Sequence, residues 1–259
     1  VLDTQIMTKT LVWATRPSHQ NSAWQQQLAR LDADILTIPL LAIVPVMGEQ
    51  DRQAIKKNVL DLDHFEHVIF VSQNAVAHAF KWFEDYWPQL PVGVNFYAVG
   101  AKTAAAVRSY GITVTECGEA MNSEAILALP ALRDVSGQKV LICRGKGGRP
   151  KLAVALTERG AQVRYCELYE RQLPVTAHEQ SLLIPAATKH VIPLFSGDTL
   201  VNLMCVLPAT INRNRIVLVL PAERVAEQAR QLGFHDIRIA KNASEAAMLE
   251  SIKLALLSQ

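Results

Sequence analysis

Two stretches of this chain begin and end alike: HVIFVSQNA from His67 and HVIPLFSGD from His190 each run from a histidine through apolar residues into a serine. A short apolar run closed by turn residues is the signature of a strand buried on both faces, and a serine at its end is placed to cap a following helix. The unit recurs. Thr10 to Ala14, His67 to Val71, Asn95 to Val99, Val140 to Cys143, Val191 to Phe195 and Arg215 to Leu220 read as strands, each followed by residues at helical spacing. Alternation of this kind implies parallel sheets covered by helices. It is also ordered between halves. Arg16 and Arg144 each follow a first strand, Ser72 matches Ser196, and Gly111 matches Gly233 as a helix stop, with partners about 120 to 130 residues apart. The expected architecture is a duplicated α/β fold, with sites where the carboxyl ends of strands gather.

The stretch richest in site chemistry is Lys139 to Arg149, KVLICRGKGGR. Val140 to Cys143 read as the strand, Gly145, Gly147 and Gly148 as a tight turn with positive φ, and Arg144, Lys146 and Arg149 as a local concentration of positive charge. Lys151 to Arg159 continues as a helix whose first-turn amides face the same end. A small anion is the natural guest. A solvated turn whose arginines touch only water is the competing reading. Ser72 likewise reads as a cap, as a ligand contact, or as both. Asn74 and Thr103, the latter beside the turn glycine Gly100, complete the polar groups at strand ends and helix starts.

Several function classes are excluded by what these residues lack. RGKGGR has neither P-loop spacing nor its Lys-Ser/Thr pair, and the glycines are not in the dinucleotide order, which disfavours a nucleotide-dependent enzyme. Formal charge is only +2 from 26 basic and 24 acidic residues, so no global field points to nucleic acid. His64 and His67 lack a third ligand, and no metal or other cofactor is expected. His78 and His190 read as surface or boundary residues. Cys117, Cys143, Cys166 and Cys205 are far apart; Cys143 and Cys205 lie in apolar runs and read as reduced core thiols of a cytoplasmic protein. VLDTQIMTKT has no signal-peptide pattern, and no run is long enough for a bilayer. Asp198 beside Ser196 has no histidine or nucleophile elbow to make a triad. Glu167 and Glu170 read as solvated, and Trp82, Tyr86 and Trp87 as packing groups. Pro39 within Asp34 to Leu41 points to an edge or crossing segment, as does Pro174, and Ser181 to Ala187 reads as a helix weakened by Pro185.

The combination LICRGKGGRPKLAVALTERGAQVRYCELYERQLP, with TLVWATRP, HVIFVSQNAV and YAVGAKTAAAVRSYG, resembles the uroporphyrinogen-III synthase family over most of the chain. The resemblance implies two similar α/β domains, each a parallel sheet flanked by helices, joined by a two-stranded connection with a cleft between them. It puts 1–37 and 173–259 in the first domain and 38–172 in the second. The implied reaction cyclises hydroxymethylbilane, a linear tetrapyrrole with eight carboxylates, to uroporphyrinogen III with ring D inverted and water lost. That is a cyclising hydro-lyase of tetrapyrrole biosynthesis, working without a cofactor and by default as a monomer. The enzyme that makes hydroxymethylbilane is a further expected partner, in transient contact; nucleic acid and membrane are not.

By the same resemblance Tyr169 is the catalytic residue, assisting departure of the hydroxyl. Ser72, Thr103 and Ser196 are then expected to bind substrate carboxylates; Arg16, Arg144 and Arg149 are added as charge contacts from the residues themselves, and Asn74, Gly145, Gly148 and Arg224 complete the expected substrate contacts. One turn departs from the family pattern: Leu220-Pro221-Ala222-Glu223-Arg224-Val225 carries Pro221 in place of a glycine and Arg224 in place of a threonine, and Phe195 stands where a threonine commonly precedes the serine. A binding paralogue without turnover is therefore the alternative.

Overall fold

The computed structural model describes residues 10–18, 21–116, 123–185 and 187–257, which form two compact units, Val1–Ala42 with Gln172–Gln259 and Ile43–Arg171. Cys117 and nearly all of the leading VLDTQIMTKT segment lie outside the described residues.

In chain order the elements are β1 (Leu11–Ala14), α1 (Asn21–Leu28), β2 (Asp34–Thr37), β3 (Ala42–Pro45), α2 (Glu49–Leu60), β4 (His67–Phe70), α3 (Gln73–Tyr86), β5 (Asn95–Ala98), α4 (Ala101–Arg108), β6 (Thr115–Glu116), α5 (Ser123–Leu127), β7 (Lys139–Gly145), α6 (Lys151–Glu158), β8 (Gln162–Gln172), α7 (Thr176–Ser181), β9 (His190–Pro193), α8 (Gly197–Val206), β10 (Ile216–Leu220), α9 (Glu223–Gln231), β11 (Asp236–Ile239) and α10 (Glu245–Leu257).

The first unit holds a sheet of order β11-β10-β9-β1-β2, and its pairings are parallel. The second holds β3-β8-β7-β4-β5-β6, parallel from β8 to β6. Setting β9, β10, β11, β1, β2 against β4, β5, β6, β7, β8 superposes the two orders. The repeat legible in the sequence is thus a repeat of topology, with the first unit assembled from both chain ends. Chain passage from one unit to the other falls at Ala42/Ile43 and Arg171/Gln172, on the hydrogen-bonded neighbours β3 and β8.

Each sheet is covered on both faces, which explains why its strands are apolar without alternation. In the second unit Val68, Phe70, Leu141 and Cys143 pack toward Ile55, Val59, Phe80 and Phe83, and Ile69, Val140 and Ile142 toward Ile126, Leu132, Leu152 and Leu156. The first unit repeats the arrangement, with Trp13, Ile192, Leu218 and Leu203 in one cluster and Val12, Val191, Val217, Trp24 and Ile252 in the other. Gly111 and Gly233 end their helices at φ 77° and 83°, the left-handed stop expected of them. Trp82, Tyr86 and Trp87 pack against the core of the second unit, as read from the sequence.

Four readings need correction. The helix before β9 is Thr176–Ser181 rather than Ser181 to Ala187, since Pro185 removes an amide that a helix there would use. Cys205 is exposed. It lies on the outer face of α8, whose buried residues are Thr199, Leu200, Leu203 and Val206. His190 is buried, not at the surface, and accepts a hydrogen bond at Nδ1 from Trp13 Nε1 at 3.3 Å. Finally, of the three loop glycines only Gly147 has positive φ, 71°. The other two are small for a different reason, given below.

Candidate functional site

The carboxyl ends of β8, β7 and β4 converge on one side chain, Tyr169. Strand β8 pairs with β7 in register from Lys139↔Gln162 to Arg144↔Glu167, and then a register shift sets Gly145 opposite Tyr169 instead of Leu168. Tyr169 therefore starts one strand away from β7 and two from β4, and its ring crosses the end of β7 to put Oη 3.0 Å from Ser72 Oγ. Strand spacings of about 4.8 Å make this a reach that a tyrosine spans and shorter side chains do not. The ring passes directly over Gly145, where a Cβ would stand 2.4 Å from Tyr169 Cε2. Gly145 is thus required by close approach, not by its own backbone angle. Tyr169 is also stacked by His78 of α3, ring centroids 5.4 Å apart at 28°.

Ser72 is both cap and contact. At φ −165° and ψ 161° it is the extended N-cap of α3, and its Oγ accepts from Ala75 N at 3.1 Å. A hydroxyl with one lone pair used still has a second lone pair and a proton for the phenol.

Arg144 holds the loop from inside. It is 5% exposed; its Nε donates to Gly145 O at 3.2 Å and its Nη1 to Arg149 O at 3.3 Å, so one guanidinium ties together both ends of the glycine turn. It also lies 4.4 Å over the Tyr165 ring and 3.7 Å from Glu167. Gly148 makes room for it, since a Cβ there would fall 2.3 Å from Arg144 Nη2. Arg149 is exposed. A pocket at this strand end has Arg144, Gly145, Gly148, Arg149 and Tyr169 in its lining, along with apolar residues and two polar ones that carry no role above, Tyr165 and Arg171. The extra β8 residue at the register shift breaks strand alternation between Tyr165 and Tyr169, so even spacing along the sequence could not have marked them as neighbours. Asn74, half-buried, and Thr103, buried at the start of α4, do not line it.

The carboxylates beside Tyr169 are engaged at the rim. Lys146 Nζ meets Asp51 at 2.9 Å and Glu170 at 3.5 Å, and the hydrogen bond it donates to Asp51 raises its pKa. Within β7 and β8 the Cys143 thiol is pushed well up by hydrogen bonding with Cys166 and by burial, so it offers no nucleophile.

In the first unit, Arg16 follows β1, pairs with Glu245 at 2.9 Å and lies 4.7 Å over Phe195. Burial pulls its pKa down and Glu245 opposes that shift. Phe195, the residue that departs from the family pattern, is thus the platform for Arg16. Ser196 caps α8 in a reciprocal box with Thr199. Arg224 is exposed, and a Cβ on Gly197 would lie 4.0 Å from its Nη1, which puts it beside the start of α8.

The family model described as uroporphyrinogen-III synthase HemD matches residues 22–250. The chain belongs to the uroporphyrinogen-III synthase family. Curated relatives of that name from Escherichia coli and Salmonella typhimurium are each 30% identical to it, over 93% and 92% of this chain and 99% and 98% of their own lengths. Among solved structures, the family fold is shared with uroporphyrinogen-III synthetase from Helicobacter pylori at TM-score 0.64 and 20% identity, over 96% of this chain and 99% of that one. A mutant uroporphyrinogen III synthase from Thermus thermophilus gives TM-score 0.62 and 17% identity, over 97% and 100%. The family assignment accounts for the paired sheet orders and for the RGKGGR loop, which in this member is closed by Arg144. Among the described residues no helix is long and apolar enough to cross a membrane.

Proposed function

We propose that this chain is a uroporphyrinogen-III synthase that converts hydroxymethylbilane to uroporphyrinogen III. Family membership supports the reaction, and the observation that supports the site is Tyr169, which lines a pocket with Arg149 and Arg171 while its hydroxyl is hydrogen-bonded to Ser72 outside that lining. The terminal C–O bond of the substrate breaks with electron push from its own pyrrole nitrogen, and the hydroxyl leaves as water. The substituted carbon of ring D then attacks the resulting azafulvene to give a spirocyclic pyrrolenine, which fragments and recloses with ring D inverted. The substrate supplies the driving electrons, so the protein's task is to fold it, shield cationic intermediates and deny direct closure.

In this reading Tyr169 Oη hydrogen-bonds the departing hydroxyl and Ser72 Oγ orients the phenol. Arg149 and Arg171 take substrate carboxylates, with Gly145 and Gly148 giving close access and Asn74 and Thr103 adding polar contacts. Arg16, Ser196 and Arg224 are assigned further carboxylates of the same molecule. Arg144, bound to two carbonyls, contributes positive potential and the shape of the loop. Transient contact with the enzyme that makes the unstable substrate completes the reading.

Product analysis is the test. Purified protein added to hydroxymethylbilane is expected to divert it from spontaneous uroporphyrinogen I to the III isomer, and an unchanged isomer ratio would overturn the proposal. A second reading, a non-catalytic tetrapyrrole or anion binder, is motivated by the Pro221 to Arg224 turn, where Ala222 is the N-cap of α9 and offers no side-chain cap. Saturable substrate binding without isomer diversion would select it.

A further inference from the structure

We propose that His78 is a positioning residue for Tyr169, holding the phenol in the one orientation that reaches Ser72; the inference rests on the role given to Tyr169 above. Tyr169 is 3% exposed in the core of the second unit, three residues before the end of β8, and a hydroxyl that must meet a reacting group needs both of its side-chain torsions held more closely than burial alone requires. Three contacts supply the restraint. Gly145 provides a flat floor with no Cβ. Ser72 fixes the hydroxyl at 3.0 Å. The His78 imidazole, half-buried, stacks on the ring at 28° with centroids 5.4 Å apart and so narrows its rotation.

Ser72 and His78 belong to one rigid body. Ser72 is the N-cap of α3 and His78 stands on that helix, anchored by Ala75, Val76, Ala79 and Phe80 in the core. The helix therefore grips the phenol at its hydroxyl and along its face together, and displacement of either contact loosens the other. Stacking needs a flat ring at position 78 and does not need a proton there. This separates a positioning role from acid–base chemistry by His78 itself.

The test compares His78→Ala with His78→Phe in the full chain. Turnover of hydroxymethylbilane to the III isomer should fall about ten- to a hundred-fold in His78→Ala with KM nearly unchanged, the cost typical of a reacting group displaced by about 1 Å. His78→Phe, which keeps a planar ring, should restore kcat to about wild type. A readout free of activity uses ring-labelled tyrosine NMR. Among five tyrosines, the Tyr169 signal is assigned by its loss in Tyr169→Phe. Its ring-current shift should collapse in His78→Ala and persist in His78→Phe. Unchanged kcat in His78→Ala, or loss that Phe does not restore, would overturn the inference. If wild-type protein left the isomer ratio at its spontaneous value, the functional reading would fall, and the ring-current arm would still decide whether His78 orients the phenol.

Discussion

Ser72 and Ser196 occupy matched positions in the two units and have nearly the same backbone, φ −165° and ψ 161° against φ −162° and ψ 168°. Their hydroxyls do different things. Ser196 is closed into a capping box in which Thr199 answers it, a self-contained local arrangement. Ser72 lacks that reciprocal partner and instead meets the phenol of Tyr169, from a strand two places away. The histidines that start the same strands differ as well. His67 has Tyr97 Oη at 3.1 Å and Gln138 Oε1 at 2.7 Å, whereas His190 has Trp13 on one ring nitrogen and feels Arg215 nearby. Duplication has preserved backbone and caps, while the long-range side-chain contacts have diverged. One copy carries a phenol network and the other a scaffold version of the same corner.

The strongest way to break this contrast is to remove the phenol or its floor. Tyr169→Phe should lower kcat about 10²- to 10⁴-fold, the range of a positioned proton donor, with a smaller effect on KM; steady-state rates on hydroxymethylbilane check it. Gly145→Ala should approach that loss by pushing the ring aside, and overpacking of this kind costs about 1–3 kcal/mol in unfolding free energy. Gly148→Ala meets the flexible end of Arg144 instead and should be milder on both counts.

The serine pair sharpens the comparison. Each Ser→Ala change removes an N-cap and should cost about 1 kcal/mol by denaturant unfolding. Only Ser72→Ala should lower kcat; Ser196→Ala should act on KM at most. Equal kcat losses would show that the two corners are not functionally distinct.

The histidine difference predicts a pH effect of smaller size. Burial first, and Arg215 second, hold the His190 pKa below the ordinary value of 6.5. The folded protein thus favours neutral His190, and the unfolded chain binds the proton more readily. His190 contributes stability above pH 6.5 that is lost as pH falls through its lower folded pKa. Thermal unfolding followed from pH 7.5 downward should show the decline in wild type and a flatter slope in His190→Gln. The smallest expected effect is electrostatic. Raising salt should increase KM modestly, because exposed charges such as Arg149 and Arg224 are screened, while kcat stays level.

The fold was largely legible before any coordinates. Buried strands on both faces of a helix-covered sheet have to be continuous apolar runs, and helices between them have to stop at residues such as Gly111 and Gly233. The repeat follows from patterns within a few residues, and so do the readings of Pro39 and Pro174 as edge or crossing segments and of KVLICRGKGGR as a site candidate. Arg16, Ser72, Arg144 and Ser196 could be singled out on the same basis, because residues at a strand end and the next helix start are forced to share one end of their sheet, whereas the role of Tyr169 came from the family resemblance.

What sequence could not decide were the partners across strands. Arg144 is as basic in one dimension as Arg149, yet one braces two carbonyls inside the loop and the other is exposed. Gly145 and Gly148 read as turn residues with positive φ and are spacers, one for a phenol and one for a guanidinium. His78 and His190 read as peripheral because a histidine's burial depends on which ring or indole happens to lie opposite. Above all, local pattern would set Leu168 opposite Gly145. A single register shift at Arg144/Gly145 replaces it with Tyr169, and only pairing between two strands of different sequence origin can fix a register.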